Sequence, residues 1–422
     1  MFAESPSELM LLKQASELAQ QVLELSPTVE FGYVALANVL DFMGHSDKGI
    51  EVLTSGQSRG MKPSWRTYFT MARLQADSQS SEQILEQLKR AIAGCHKQAS
   101  IIAPYVVATV QTVKQDEEYE QEIRLWNETC PSRYFEITLA DSLAKRNQFE
   151  KAHQLYTKIY NDDPTFTPAA INDAVILYRQ LGRLGDAEKL LLRVLSSQTS
   201  LEDSQVTLAK LHLGNIQISR GNFRGASQSF IEAASLASDR NIIIENAVRA
   251  YRDASEHQNL LAFLETFAKE IGGNGLVFAL KGEVLSENLA RHQDAVRAFS
   301  DAILLEPERS DFYNGMGLAL YRGDDLSSAL KLFQAALKID ENDAIARYNE
   351  ACVLVRMGSI EEGLASLQRA IAINGKLKDS ARKDLDFANV RSSAEFQRII
   401  RGPADQEVEP LPDQVGDELF GH

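Results

Sequence analysis

The chain is poor in cysteine. Cys95, Cys130 and Cys352 are the only three in 422 residues, and none belongs to a CxxC or CxxH pair. That spacing argues against a zinc cluster or a disulfide framework, with a Cys95–Cys130 bridge as the minor alternative to a reducing, cytoplasmic setting. Long apolar runs are missing too. No stretch of about eighteen apolar residues occurs, so no membrane insertion is expected. The opening "MFAESPSELMLLKQASELAQQVLEL" carries Glu4 and Glu8 where a secretory leader would carry Lys or Arg, and its apolar residues follow one helix face. Positive charge is in deficit, with 44 Lys and Arg against 59 Asp and Glu and a net charge of -15. Such a chain repels phosphates and anionic lipid, so nucleic acid is not an expected partner.

Catalytic signatures are missing as well. The seven histidines (His45, His96, His153, His212, His257, His292, His422) fall in no HxxH or HExxH pattern, and there is no GxSxG, P-loop or dinucleotide fingerprint. "GGNG" at 272–275 follows no strand, so it reads as a flexible joint or irregular turn, dividing the chain into two arms, rather than as a phosphate cradle. Paired carboxylates in an acidic helical chain mark a solvated face. No catalytic residue, metal or cofactor is expected.

Apolar residues make up 44% and charged residues 24%, which fits a folded protein, and 422 residues exceed one ordinary core. Several domains or an extended array must follow, and the sequence repeats itself. "GLALYRGDDLSSALKLFQAALKID" at 317–340 keeps Gly317, Ala329 and Ala336 small within good helix periodicity. Steps of about 34 residues find the same pattern. Backward come Ala295, Phe299, Ala302 and Pro307, with one extra residue in the turn; forward come Ala351, Gly358, Gly363, Leu367 and Ala370. Earlier copies give Leu213, Gly214, Gly221, Phe223, Ala226, Phe230 and Ala233; then Gly182, Leu184, Ala187, Leu191 and Val194; then Leu139, Ala140, Phe149, Ala152, Tyr156 and Pro164. About 34 residues cannot bury a core alone, so each unit must stack on its neighbours. The small residues mark where helices cross closely, and Phe333 and Leu326 fill the space between units.

This pattern resembles the tetratricopeptide repeat (TPR), strongly over 133–240 and 276–377, and more weakly over 1–132 and 241–274. About eleven units are counted. The resemblance implies an all-α fold: a right-handed TPR solenoid, a superhelix of antiparallel helix pairs, with a capping helix and a disordered acidic tail. The divisions are 1–132 (degenerate repeats), 133–274 (central units, the last degenerate), 275–377 (C-terminal units), 378–402 (capping segment) and 403–422 (tail). The cap is read from Asp386, Phe387, Arg391, Phe396 and Ile399–Ile400, with Arg391 expected to pair with a cap carboxylate. The tail has six acidic residues and no Lys or Arg, and its "DELF" could alternatively dock in a groove.

In this family the first helix of each pair lines a concave wall that holds peptide segments. The family's contact slots fall here on Asp141 and Lys145; Asn172, Asp173 and Arg179; His212 and Asn215; Asn314, Tyr321 and Arg322; and Asn349 and Arg356. Asn amides can both donate to and accept from a peptide backbone, and Arg forks suit carboxylates, so an extended acidic or C-terminal segment is the expected guest. The chaperone-binding clamp pattern is absent, because Leu318 and Cys352 stand where it needs Asn. The leading expectation is a non-enzymatic protein-protein interaction scaffold. The alternative is a self-assembling homo-oligomer that uses the worn units, and an enzyme is the least favoured reading.

Overall fold

The structure, a computed structural model, describes residues 6–75, 81–95, 102–104, 107, 116–197 and 201–401. The expected tail at 403–422, "DELF" included, lies outside these residues, as does the Cys95 side chain; the Cys130 and Cys352 thiols are free. Among the described residues are twenty-two α-helices. They are α1 (Pro6–Leu25), α2 (Glu30–Phe42), α3 (Ser46–Ser58), α4 (Trp65–Leu74), α5 (Ser81–Cys95), α6 (Asp116–Thr129), α7 (Arg133–Lys145) and α8 (Phe149–Asp162). Next come α9 (Thr167–Arg179), α10 (Leu184–Leu195), α11 (Asp203–Ser219), α12 (Phe223–Leu236), α13 (Arg240–Asp253), α14 (His257–Phe267) and α15 (Gly275–Glu283). The last are α16 (His292–Leu305), α17 (Ser310–Arg322), α18 (Leu326–Ile339), α19 (Ala344–Arg356), α20 (Ile360–Ile373), α21 (Leu377–Lys383) and α22 (Ala394–Arg401). None is long and apolar enough to cross a membrane.

Most of these helices pair in antiparallel hairpins, from α2 with α3 through to α19 with α20. Side-chain caps set several starts: Ser64, Ser132, Asn222, Asp239, Asn274, Asp325 and Asp343 each accept a backbone N–H of the first turn. Inside the hairpins the turn is built one way. A single residue with positive φ ends the first helix: Gly44, Asn147, Gly182, Gly221, Ser255, Ala290, Asp324 or Gly358. The next N–H reaches far back into the helix, as from His45 to the Leu40 carbonyl, Asp325 to Leu320 and Ser359 to Leu354. This is the Schellman closure, which satisfies carbonyls that a helix end leaves open. It persists at Ser255 and Ala290, where no glycine is present.

Small residues sit where the repeat reading places them. A methyl group on Gly317 would lie 2.6 Å from the ring of Phe333, and one on Gly214 would lie 2.6 Å from that of Phe230. Both rings come from the second helix of the same pair. Phe333 also shares a core with Ala329 and with Val353 of the next pair, while Ala336 packs with Ala346 and Tyr313. Gly282 meets Phe299 in the same way, but seventeen residues separate that pair instead of sixteen. The extra residue lies in a π-helical turn, Val284–Asn288, that extends α15.

Two compact units result, Met1–His212 and Leu213–His422. The boundary falls inside α11, not at "GGNG". That stretch is a fastened turn: Asn274 caps α15 by accepting from Val277 N–H at 3.0 Å, and Gly275 N–H donates to Glu306 Oε1 at 2.9 Å. A carboxylate therefore already occupies this helix N-terminus. At the other end of the second unit, α21, a short 3-10 turn (Leu385–Phe387) and α22 close the last pair. Phe387 lies edge-on to Tyr348 at 5.7 Å and against Phe396 at 5.8 Å. Arg391 is structural, but its partner is the backbone carbonyl of Asp384 rather than a carboxylate.

Candidate functional site

In the second unit the first helices α15, α17 and α19 stand side by side. Their facing positions carry polar groups. Asn349 Nδ2 donates to Asn314 Oδ1 at 2.9 Å, which leaves each amide with further donors or acceptors. Two turns along, the Arg356 guanidinium covers the Tyr321 ring at 4.8 Å and bonds Asp324 at 2.8 Å. Arg322 reaches back to Glu287 at 3.1 Å and to Ser286 Oγ at 3.4 Å. Both Arg forks are thus engaged by carboxylates of this chain.

Of these, Tyr321, Arg322 and Asn349 line a cleft of about 190 Å³ that the cap closes. Leu318, Tyr321 and Phe333 form an apolar side, Arg322 and Asn349 a polar one, and Cys352, Asp384 and Asp386 the floor. Leu318 and Cys352, which break the clamp pattern, are themselves lining residues. Tyr348 Oη donates to Asp384 Oδ2 at 2.8 Å, and Asp384 Oδ1 accepts the N–H of Asp386 at 3.1 Å. The floor brings a thiol and two carboxylates within 4.8 Å of one another. Burial, and then the Asp384 and Asp386 charges, push the Cys352 thiol well above its ordinary value. It stays protonated and points its S–H at Asp384 Oδ2, 3.8 Å away. A metal ligand would have to be the thiolate. Burial and the Asp386 carboxylate likewise raise the Tyr321 hydroxyl.

The first unit brings together some of the expected residues. Asn172 Nδ2 donates to Asp141 Oδ1 at 3.1 Å, and the Tyr156 hydroxyl donates to the same oxygen. Burial raises the Asp141 carboxyl, opposed by these two bonds. Lys145 is exposed a turn further on. Arg179 lies over Tyr178 at 5.5 Å and donates to its hydroxyl at 2.7 Å, and that hydroxyl meets His212 Nδ1 at 3.3 Å. Burial, and then Arg179, push His212 down to about 4, which keeps the imidazole neutral. Asn215, which belongs to the second unit, is half-buried on α11 and accepts Ser219 Oγ through its backbone carbonyl at 3.1 Å.

Asp173 departs from the expected wall. It is 2% exposed and faces the second helix α8, where it meets His153 Nδ1 at 2.7 Å and Thr157 Oγ1 at 3.3 Å. There it lines a separate cavity of about 210 Å³ with Lys189 and Arg193 of α10. Successive residues on a helix differ by about 100°, so Asn172 and Asp173 cannot share one direction. Tyr178, Glu287, Tyr348, Asp384 and Asp386 went unread in the sequence as site residues. Asp384 and Asp386 had a signal, but only as charged residues of the cap.

The family model for the tetratricopeptide repeat matches residues 288–344, the span from the π turn to the start of α19. Among solved structures, MamA is similar at 16% identity over 40% of this chain and 97% of that chain, with a TM-score of 0.32. YrrB, titled as a TPR protein with an unusual peptide-binding site, has 20% identity over 54% of this chain and 98% of that one, with a TM-score of 0.28. The APC/C hetero-tetramer Cut9–Hcn1 has 13% identity over 91% and 93%, with a TM-score of 0.33. The search of curated proteins found no match.

Proposed function

We propose that this chain, a tetratricopeptide-repeat protein, is a non-enzymatic scaffold that holds an extended segment of a partner protein along its first helices. The cleft between α17, α19 and the cap is the observation that carries the reading. It joins an apolar side to hydrogen-bonding amides, the usual make-up of a site that orients a guest chain. Its charge names the guest. Its lining holds one cation, Arg322, which is already paired with Glu287, and two carboxylates, Asp384 and Asp386. The surplus is negative. A segment with a Lys or Arg side chain therefore fits the floor better than the acidic or C-terminal segment that the Arg forks suggest in sequence. The Asn314–Asn349 pair offers backbone contacts that do not depend on guest side chains. Assembly or regulation of a complex is the corresponding role.

The test is recovery of partners on the immobilised full chain, identified by mass spectrometry, against a variant combining Asn314→Ala with Asp386→Asn. Arrayed peptides, Lys-rich or Glu-rich at matched length, provide a second readout. Helicity should be unchanged, partner recovery should fall at least tenfold, and the Lys-rich peptides should bind better. Equal recovery by the variant would refute the groove. A preference for Glu-rich peptides would refute the charge argument alone.

A further inference from the structure

Helix α1 has three faces. Leu12, Ser16, Ala19 and Leu23 turn toward the fold: Ala19 is 6% exposed, and Leu23 packs on the Tyr33 core. Lys13, Glu17 and Glu24 lie on a second face. The third is an apolar stripe that nothing among the described residues covers. Leu11, Leu18, Val22 and Leu25 keep 61%, 62%, 37% and 85% of their surface exposed. Their spacing of seven, four and three, with the half-buried Ala15 between the first two, is that of a coiled-coil seam: Leu at the d positions, Ala and Val at the a positions. Phe31, 73% exposed, stands beside Gly32, where an added methyl would lie 3.2 Å from Val22.

We propose that this stripe is a self-pairing surface, and that α1 of one chain packs against α1 of a second copy. Charge favours a second copy. At net charge -15 two chains repel, so they must meet where charge is absent. From Leu11 to Leu25 the flanks of the stripe meet that condition: Gln14 and Gln21 are uncharged and exposed, while Lys13, Glu17 and Glu24 lie more than about 100° around the helix from its centre. The preceding a position is Glu8, so the seam starts at Leu11. Size agrees. The four stripe residues with Phe31 present on the order of 500 Å² per copy, so a pair covers about 1,000 Å², the lower bound for a specific interface. An interface of this size suits a reversible dimer.

Leu18 is the midpoint between Leu11 and Leu25. In a fully overlapped pair it therefore lies at the centre of the seam, opposite Leu18 of the second copy when the helices run parallel and in the adjacent layer when they run antiparallel, which gives a test that serves either direction. Sedimentation velocity on the full chain from about 1 to 100 μM should show the mass rising from one chain toward two. Leu18→Glu should remain one chain throughout, with circular dichroism unchanged and with the thermal midpoint of the unaltered protein when both are compared at about 1 μM, where neither is paired, because the side chain is exposed in the single chain. Mixing Leu18→Glu with Leu18→Lys should restore pairing to within tenfold of the unaltered protein. A one-chain mass at every concentration would overturn the proposal and assign the stripe to a different protein. So would dimers that survive Leu18→Glu, or a Glu–Lys mixture that stays unpaired.

Discussion

Replacing Gly317 by alanine sets two effects against each other. In the interior of a solvated helix the change should stabilise by about 1 kcal/mol, because glycine loses more backbone freedom on folding. Here the added methyl would stand 2.6 Å from Phe333 Cε1, whereas carbon atoms rest at about 3.5–4.0 Å. The ring must retreat by about 1 Å, yet Phe333 is 0% exposed and holds Ala329 and Val353 around it. Overpacking of this kind costs about 1–3 kcal/mol, so the net result is a loss of about 1–2 kcal/mol. Stacked repeats open locally, and a single melting temperature would blur the effect. Native-state hydrogen exchange resolved to α17 and α18 is therefore the suitable assay. Phe333→Leu shortens the ring and should relieve the clash, so the double variant should be more stable than the sum of the single losses by about 1 kcal/mol. If Gly317→Ala is stabilising, or if the two changes are additive, the glycine–ring interlock is not what holds the pair together.

Two further measurements address other parts of the chain. Ala290 adopts φ 52°, a conformation that costs a residue with a Cβ about 1 kcal/mol. Ala290→Gly should therefore raise stability to urea by about 0.5–1 kcal/mol, and a lower midpoint would contradict the turn assignment. His212 is held neutral, its value lowered from 6.5 to about 4. The unfolded chain then binds a proton that the folded chain refuses, so this part of the stability is complete above pH 6.5 and falls as pH drops toward 4. In His212→Gln the free energy of local opening around α9 and α11, read by native-state hydrogen exchange, should depend less on pH between 7 and 5; an unchanged slope would place the acid sensitivity elsewhere.

The stacking was legible in sequence because its determinants are local. Gly214 and Phe230, like Gly317 and Phe333, sit sixteen residues apart across one hairpin, so any window of a single repeat contains both. The wall was less legible. A first helix is buried by its own partner and by the preceding pair, leaving a narrow exposed strip that one residue's rotation can miss, as it does at Asp173. The cleft floor was the hardest to see. Asp384 and Asp386 reach Tyr348 and Cys352 only after the cap folds back, a contact set by tertiary packing and not by spacing. The same folding back supplies the negative charge on which the proposal of a basic guest rests.

The π turn at Val284–Asn288 has a consequence for how such a chain changes over time. An insertion that would rotate every later residue of an ordinary helix is confined to one wide turn, and Phe299 still lands on Gly282. Copies of the unit can therefore gain single residues while the pairs beyond them keep their partners. Length drift and shape drift are uncoupled here. A search that insists on a constant period will lose units that the stack itself has kept.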